Sequence, residues 1–99
     1  MDLEHALRLA QARSFVAALA DAAVDDDVSA AFESVLVELD WLHGDESPGL
    51  DTDGLSEDRN VLYLAATAAI EALALFGLDA LDLELILVRL EAARALDRL

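Results

Sequence analysis

The clearest pattern along the chain is an apolar stripe within residues 28–42. Its apolar side chains recur at intervals of four and three positions, which places them on one face of an α-helix. They are Val28, Phe32, Val35, Leu39 and Leu42. Three consecutive aspartates at 25–27 precede the stripe, where the helix dipole favours negative charge, and Gly44 follows it. The pattern predicts a helix that begins just after the aspartates and ends at Gly44.

A second helical pattern lies at the start of the chain. We expect Asp2 to cap a helix that continues to about Ala22, before the aspartates at 25–27 interrupt it. The apolar stripe of this helix is expected to begin with Leu3, Leu7 and Ala10 and to continue through Phe15, Val16 and Leu19. This stripe is the side of the helix that we predict to face the core.

The third pattern, residues 57–76, is apolar on nearly every side after Asn60, and Ser56 is its expected cap. Such a helix is predicted to be buried on several sides. The segment 61–78 is also the one candidate for a membrane span, but Glu71 lies in its middle. Its clearly helical part is about 24 Å long, which is shorter than a bilayer core of about 30 Å. We therefore expect a core helix and no membrane contact.

The fourth helix, which Asp79 or Asp82 opens after a stop at Gly77, carries two apolar stripes. One stripe is Leu83, Ile86, Leu90 and Ala93, and the other is Leu81, Leu85, Val88, Ala92 and Leu96. Because a helix at the surface of a bundle buries one stripe, the second would form an exposed apolar patch. We expect a second copy of the chain to cover this patch. The expected interface residues are Leu81, Leu85, Val88, Leu96 and Trp41, which lies off the main stripe of the second helix.

These four patterns predict the fold class. A chain of 99 residues corresponds to one domain, so we expect residues 1–99 to form a single all-α, four-helix bundle-like domain. One longer acidic loop is predicted between the second and third helices, at residues 44–55. This segment holds three of the four glycines and the only proline of the chain.

The composition narrows the classes of partner. The net charge is −15, all six basic residues are arginine, and 57% of the residues are apolar. The apolar content excludes a disordered acidic tail, and the charge would repel nucleic acid and anionic membranes. The absence of cysteine excludes disulfides and thiolate sites. The first residues include no basic segment of the kind that begins a secretory signal, so we expect a cytoplasmic protein.

One pair of residues suggests metal chemistry. Asp40 and His43 place a carboxylate and an imidazole one helical turn apart, as in the ligand motif of di-iron bundles. Those sites need two such motifs and further glutamates, whereas His5 is the only other histidine of this chain. An ion pair near the C-terminal end of the helix explains Asp40 and His43 without a metal.

The stretch 51–54, Asp-Thr-Asp-Gly, matches the middle of an EF-hand calcium loop. Aligning its glycine leaves Gly49 at the first ligand position and Asn60 at the last, where the loop requires a glutamate. Both essential positions fail, so we expect a solvated turn. The sequence thus predicts no catalytic residue, no cofactor and no metal ligand.

The function expected from the sequence is that of a small acidic, non-enzymatic protein-interaction or regulatory domain, acting as a homodimer and open to a further protein partner. Two alternatives stay open. One is a helical metal-dependent enzyme that uses Asp40, His43 and nearby carboxylates. The other is an acidic decoy, or nucleic-acid mimic, that binds a basic protein.

Overall fold

The computed structural model describes residues 3–44, 55 and 58–97, and these residues form helices and short connections. The four helices are α1 (Leu3–Ala22), α2 (Asp26–His43), α3 (Arg59–Ala72) and α4 (Ala80–Asp97), and α3 runs into a 3₁₀-helical turn at Leu73–Phe76. The prediction of an all-α domain built from four helices that pack together is confirmed. Positions 45–54 of the expected loop and the expected caps Asp2 and Ser56 lie outside the described residues.

Each helix packs against two neighbours. The helix α1 contacts α2 and α3, and α4 contacts the same two helices from the other side. The start of α1 lies beside the end of α2, and the start of α3 lies beside the end of α4. Neighbouring helices are therefore antiparallel, and α2 and α3 occupy diagonally opposite corners.

The core is built from one stripe of each helix. The predicted α4 stripe is confirmed, and the predicted α2 stripe is confirmed except for Leu42, which is only partly buried. In α2 the buried residues are Val28, Phe32, Val35 and Leu39, and in α4 they are Leu83, Ile86, Leu90 and Ala93. Gly44 ends α2 with a φ of 65°, and Gly77 precedes α4 with a φ of 82°. Side chains other than glycine rarely adopt these backbone angles, so both residues stop the preceding helix as predicted.

The predicted stripe of α1 is wrong in its first half. Leu3 and Leu7 are exposed, and the buried side of α1 passes through Leu9 and Ala12 toward Val16. Leu7 and Leu9 are two positions apart, which corresponds to a rotation of about 200° around the helix. The alanine-rich sequence offers apolar residues on both sides, and the packing against α2 and α3 selects the side of Leu9.

The expectation that α3 is buried on several sides is also wrong. Its buried residues are confined to one face and are Leu62, Ala66, Ala69 and Ile70. Val61 and Leu64 are exposed, because among the described helices α3 packs against α1 and α4 on one face. Among the described residues, Arg59–Phe76 is the one stretch whose length and composition suit a membrane span, and 28% of it is buried. A helix that packs one face against a protein core can have the same length and apolar composition, so this finding alone does not indicate a membrane span.

The helix starts are capped by aspartates. The side chain of Asp58 accepts hydrogen bonds from the backbone N–H groups of Asn60 and Val61, so α3 starts two residues later than predicted. Asp25 accepts from the N–H of Asp27 at 2.9 Å, so two of the three aspartates lie inside the first turn of α2. Each of these bonds satisfies an N–H group that has no partner within the helix.

The Asp58 cap gives a direct prediction. Replacing Asp58 with alanine should lower the free energy of unfolding by about 1 kcal/mol, because two N–H groups lose their acceptor. Asp58→Ser should retain most of that free energy, since its hydroxyl oxygen can accept the same bonds. Urea denaturation followed by circular dichroism measures both changes. Equal losses in the two variants would show that the cap is not what stabilises the start of α3.

Candidate functional site

Two rows of exposed apolar side chains lie on one side of α2 and α4. We call this surface the α2–α4 face, and it consists of Val37, Trp41, Leu81, Leu85 and Val88. All five side chains are exposed, with 81% of Trp41 and 74% of Leu81 accessible to solvent. Leu81 and Val88 lie one turn before and after Leu85, and Val37 lies one turn before Trp41, so each helix contributes one row. Soluble monomers rarely expose a patch of this kind.

A groove of about 200 Å³ runs between the two rows. It is lined by Glu38, Trp41, Leu42, Asp82, Leu85 and Ile86. Two carboxylates thus stand among apolar side chains. Arg89 lies close by, with its guanidinium 3.7 Å from the Glu38 carboxylate and nearly half of its side chain exposed. The face therefore combines a projecting indole, an open groove and charges of both signs.

The structure leaves each of the expected interface residues accessible. Leu96, the remaining one, is also exposed and continues the row of α4 beyond Val88. Val37 was not among the expected interface residues, although its spacing of four from Trp41 places the two on one side of α2. The arginines of α4 are engaged within the chain. The guanidinium carbon of Arg94 lies 4.3 Å from the centroid of the Tyr63 ring, and the guanidinium of Arg89 lies near the carboxylate of Glu38.

A second feature lies at the end of the bundle where α1 starts and α2 ends. The Nε2 atoms of His5 and His43 are 3.1 Å apart. His5 lies one turn before the buried Leu9, and His43 lies one turn after the buried Leu39, so each histidine extends a core stripe. Both rings are partly buried. Sequence analysis missed this pair because it considered spacing within one helix only.

The hydrogen bonds of His43 define which nitrogen carries the proton. Its Nδ1 lies 2.7 Å from the backbone carbonyl oxygen of Leu39, and a carbonyl oxygen can only accept. Nδ1 therefore carries the proton, and Nε2 of the neutral ring presents its lone pair to His5. Phe76 stacks on the His5 ring with a centroid distance of 4.6 Å and an angle of 1° between the planes. Each ring is thus held by a contact besides the one between the two histidines. The hydrogen bond to Leu39 holds His43, and the stacking on Phe76 holds His5.

Asp40, the other half of the expected metal motif, takes part in a different contact. The Nε–H of Arg13 donates to its carboxylate at 2.8 Å, and the Arg13 side chain is largely buried between α1 and α2. The ring nitrogens of His43 face His5 and Leu39 instead. The structure therefore brings His43 together with His5, across two helices. The charge pair expected between Asp40 and His43 is replaced by these contacts.

No group of three histidine, aspartate or glutamate side chains gathers around a common point in the part of the chain that the structure describes. Comparison of the chain with protein-family models, with curated proteins and with solved structures finds no match. The α2–α4 face and the histidine pair are the two places from which a function can be argued.

Proposed function

We propose that this protein is a small acidic, non-enzymatic interaction domain of the cytoplasm and that it acts as a homodimer through the α2–α4 face. The observation that carries the proposal is the position of Trp41, which is 81% exposed beside an open groove on the same face. Tryptophan is enriched among the residues that dominate binding at protein interfaces. The sequence-based expectation of an interface on α4 supports the same choice of surface.

A second copy of the chain is the occupant that suits this face. A twofold interface uses the same patch on both subunits, so a projection on one copy must fit a depression on the other. The α2–α4 face offers both, because Trp41 projects next to a groove of about 200 Å³. Rotation about a twofold axis through the face would place the indole of each copy into the groove of the other.

Burial of the exposed apolar row of α4 would stabilise the dimer. Burial of a leucine or valine side chain contributes on the order of 1.5–3 kcal/mol. Leu81, Leu85 and Val88 are 74%, 49% and 55% exposed, so these side chains from two subunits contribute roughly 5–11 kcal/mol. This is of the same size as an association cost of about 4–15 kcal/mol. The indole of Trp41 adds further apolar area.

The effect of salt on binding distinguishes a second copy of the chain from a basic partner. Each copy carries −15, so repulsion opposes dimer formation at low salt and screening should strengthen it. Arg89, which lies 3.7 Å from Glu38, and Asp82 in the groove provide charges of both signs on this face, as a self-complementary contact between acidic copies would need. A basic partner, as in the decoy alternative, would bind more weakly as salt rises.

The enzyme alternative depends on Asp40 and His43 acting together. The Asp40 carboxylate is held by Arg13, and the His43 ring contacts His5 and Leu39. These contacts favour a structural role for Asp40 over a catalytic one.

The test is sedimentation equilibrium in about 1 M potassium chloride, a concentration that screens the repulsion between copies. Wild-type protein at micromolar concentration should show twice the chain mass of 10.6 kDa. Leu85→Glu should shift the mass to that of the monomer, since it would bury a carboxylate in the contact. Trp41→Ala should weaken the dimer by about tenfold or more, because it removes the projecting side chain.

Leu64→Glu is the matched control. Leu64 is 63% exposed on α3, outside the α2–α4 face, so this variant should remain a dimer. Circular dichroism of each variant establishes that the helices are retained. A wild-type monomer throughout the micromolar range would refute the proposal, and so would equal dissociation by Leu64→Glu and Leu85→Glu.

A further inference from the structure

We propose that His5 and His43 together bind a divalent transition metal ion of the class that prefers imidazole ligands, with zinc as the probe. Sequence analysis predicted no metal ligand, and the proposal differs because the structure joins two helices at this point. The argument rests on the distance between the two rings, on the orientation of His43 and on the access of water. It is independent of the proposed dimer.

The first support is the distance between the two ligand atoms. Zinc binds imidazole nitrogen at about 2.0–2.1 Å in tetrahedral geometry, which places two such nitrogens about 3.3 Å apart. The Nε2 atoms of His5 and His43 are 3.1 Å apart. The separation is thus within a few tenths of an ångström of the value that two zinc ligands require. Each ring also has to tilt by about 35°, so that its Nε2 points at the ion and not at the other nitrogen.

The second support is the orientation of His43. Histidines that bind metals usually donate the proton on their other nitrogen to a carbonyl or carboxylate, which fixes the ring. The Nδ1–H of His43 donates to the carbonyl of Leu39 at 2.7 Å. In the neutral ring Nε2 therefore carries no proton, and its lone pair faces His5, which is the second proposed ligand.

The third support concerns His5, whose ring is held against Phe76. The two planes are nearly parallel, with an angle of 1°, so rotation of the imidazole away from His43 would lose this contact. In the neutral pair, Nε2 of His5 donates its proton to Nε2 of His43. On metal binding that proton moves to Nδ1 of His5, and each ring keeps one proton while both Nε2 lone pairs face the metal.

Access and charge complete the site. Both rings are partly exposed, so water molecules can fill the coordination positions that the protein leaves open. The net charge of −15 attracts cations to the whole surface. Surface carboxylates prefer calcium and magnesium, whereas imidazole prefers zinc, nickel and copper, so the identity of the ion separates the pair from the acidic coat.

The experiment is a calorimetric titration of the full chain, freed of metal by chelation, with zinc chloride in about 1 M potassium chloride to suppress non-specific attraction. Wild-type protein should bind one zinc ion per chain with a dissociation constant in roughly the micromolar range. His5→Ala and His43→Ala should each weaken binding by about tenfold or more, because each removes one of two ligands. Calcium should give no saturable binding at comparable concentrations.

Glu33→Gln is the matched control, since it removes an exposed charge from α2 outside the histidine pair and should leave zinc binding unchanged. The more conservative His5→Gln and His43→Gln variants repeat the measurement if an alanine variant loses helix content. Nitrogen-15 spectra give a second readout, because zinc should shift the Nε2 signals of both histidines. Absence of a saturable zinc site, or a site that survives both histidine substitutions, would overturn the proposal. Leu85→Glu should bind zinc as the wild type does, so this outcome does not depend on the dimer.

Discussion

Raising the potassium chloride concentration from about 0.05 M to about 2 M should raise the melting temperature by more than about 10 °C. The cause is repulsion among the acidic side chains, which leaves a net charge of −15 on a molecule with a radius of gyration of 12.5 Å. Unfolding moves these charges apart, so the repulsion lowers the free energy of unfolding. Circular dichroism at one fixed protein concentration measures the effect, because the stability of a dimer depends on concentration.

The screening length explains the expected size of the effect. At about 0.05 M salt it is roughly 14 Å, so charges on neighbouring helices still interact. At about 2 M it is roughly 2 Å, and only adjacent charges interact. A change of about 1 kcal/mol shifts the melting temperature of such a domain by about 4–8 °C, so removal of a few kcal/mol of repulsion gives the predicted rise.

A charge-reduced variant separates screening from general effects of salt on apolar burial. Glu33, Glu84 and Glu91 are exposed residues within helices, and replacing all three with glutamine takes the net charge from −15 to −12. Glutamine has nearly the same helix propensity as glutamate. The variant should melt above the wild type at low salt and close to it at high salt. A melting temperature independent of salt, or an equal difference at both concentrations, would contradict the electrostatic explanation.

The sequence predicts α2 and α4 well because their bulky residues follow the helical spacing with few alternatives. The predicted stripe of α2 holds four bulky side chains that are buried, whereas the opposite side holds Val37 and Trp41 among acidic and small residues. In α1 and α3, alanine occupies many positions on every side, and alanine fits both a core and a surface. The choice of face then depends on which helices pack against them, and Leu7 and Leu64 became exposed for this reason.

The two candidate sites differ in how far the sequence predicts them. The apolar row around Leu85 is visible as a second stripe on one helix. The histidine pair depends on the register between two helices, which spacing within a helix does not reveal. One signal was nevertheless present. His5 lies 19 residues before Val24 and His43 lies 19 residues after it, and Val24 is at the centre of the turn between α1 and α2. Residues at equal distances from the turn of an antiparallel helical hairpin lie opposite one another.

Leu9→Ala should lower the free energy of unfolding by about 2–5 kcal/mol, and Leu7→Ala should lower it by less than about 1 kcal/mol. Leu9 has no exposed surface, so its truncation leaves a cavity among α1, α2 and α3, whereas Leu7 is 56% exposed. The same atoms are removed from the same helix two positions apart, so the comparison isolates burial from helix propensity. Urea denaturation of both variants and the wild type, at equal salt and protein concentration, gives the two differences.

The order of the two losses also tests the geometry beneath the histidine pair. A larger loss for Leu7→Ala would mean that α1 presents the stripe predicted from sequence, rotated by about half a turn from the structure. Because His5 lies one turn before Leu9, on the same side of α1, that rotation would turn its ring away from His43. If Leu9→Ala loses more free energy of unfolding than Leu7→Ala, the result supports the position of His5 opposite His43. This measurement involves neither a metal ion nor a change to a histidine.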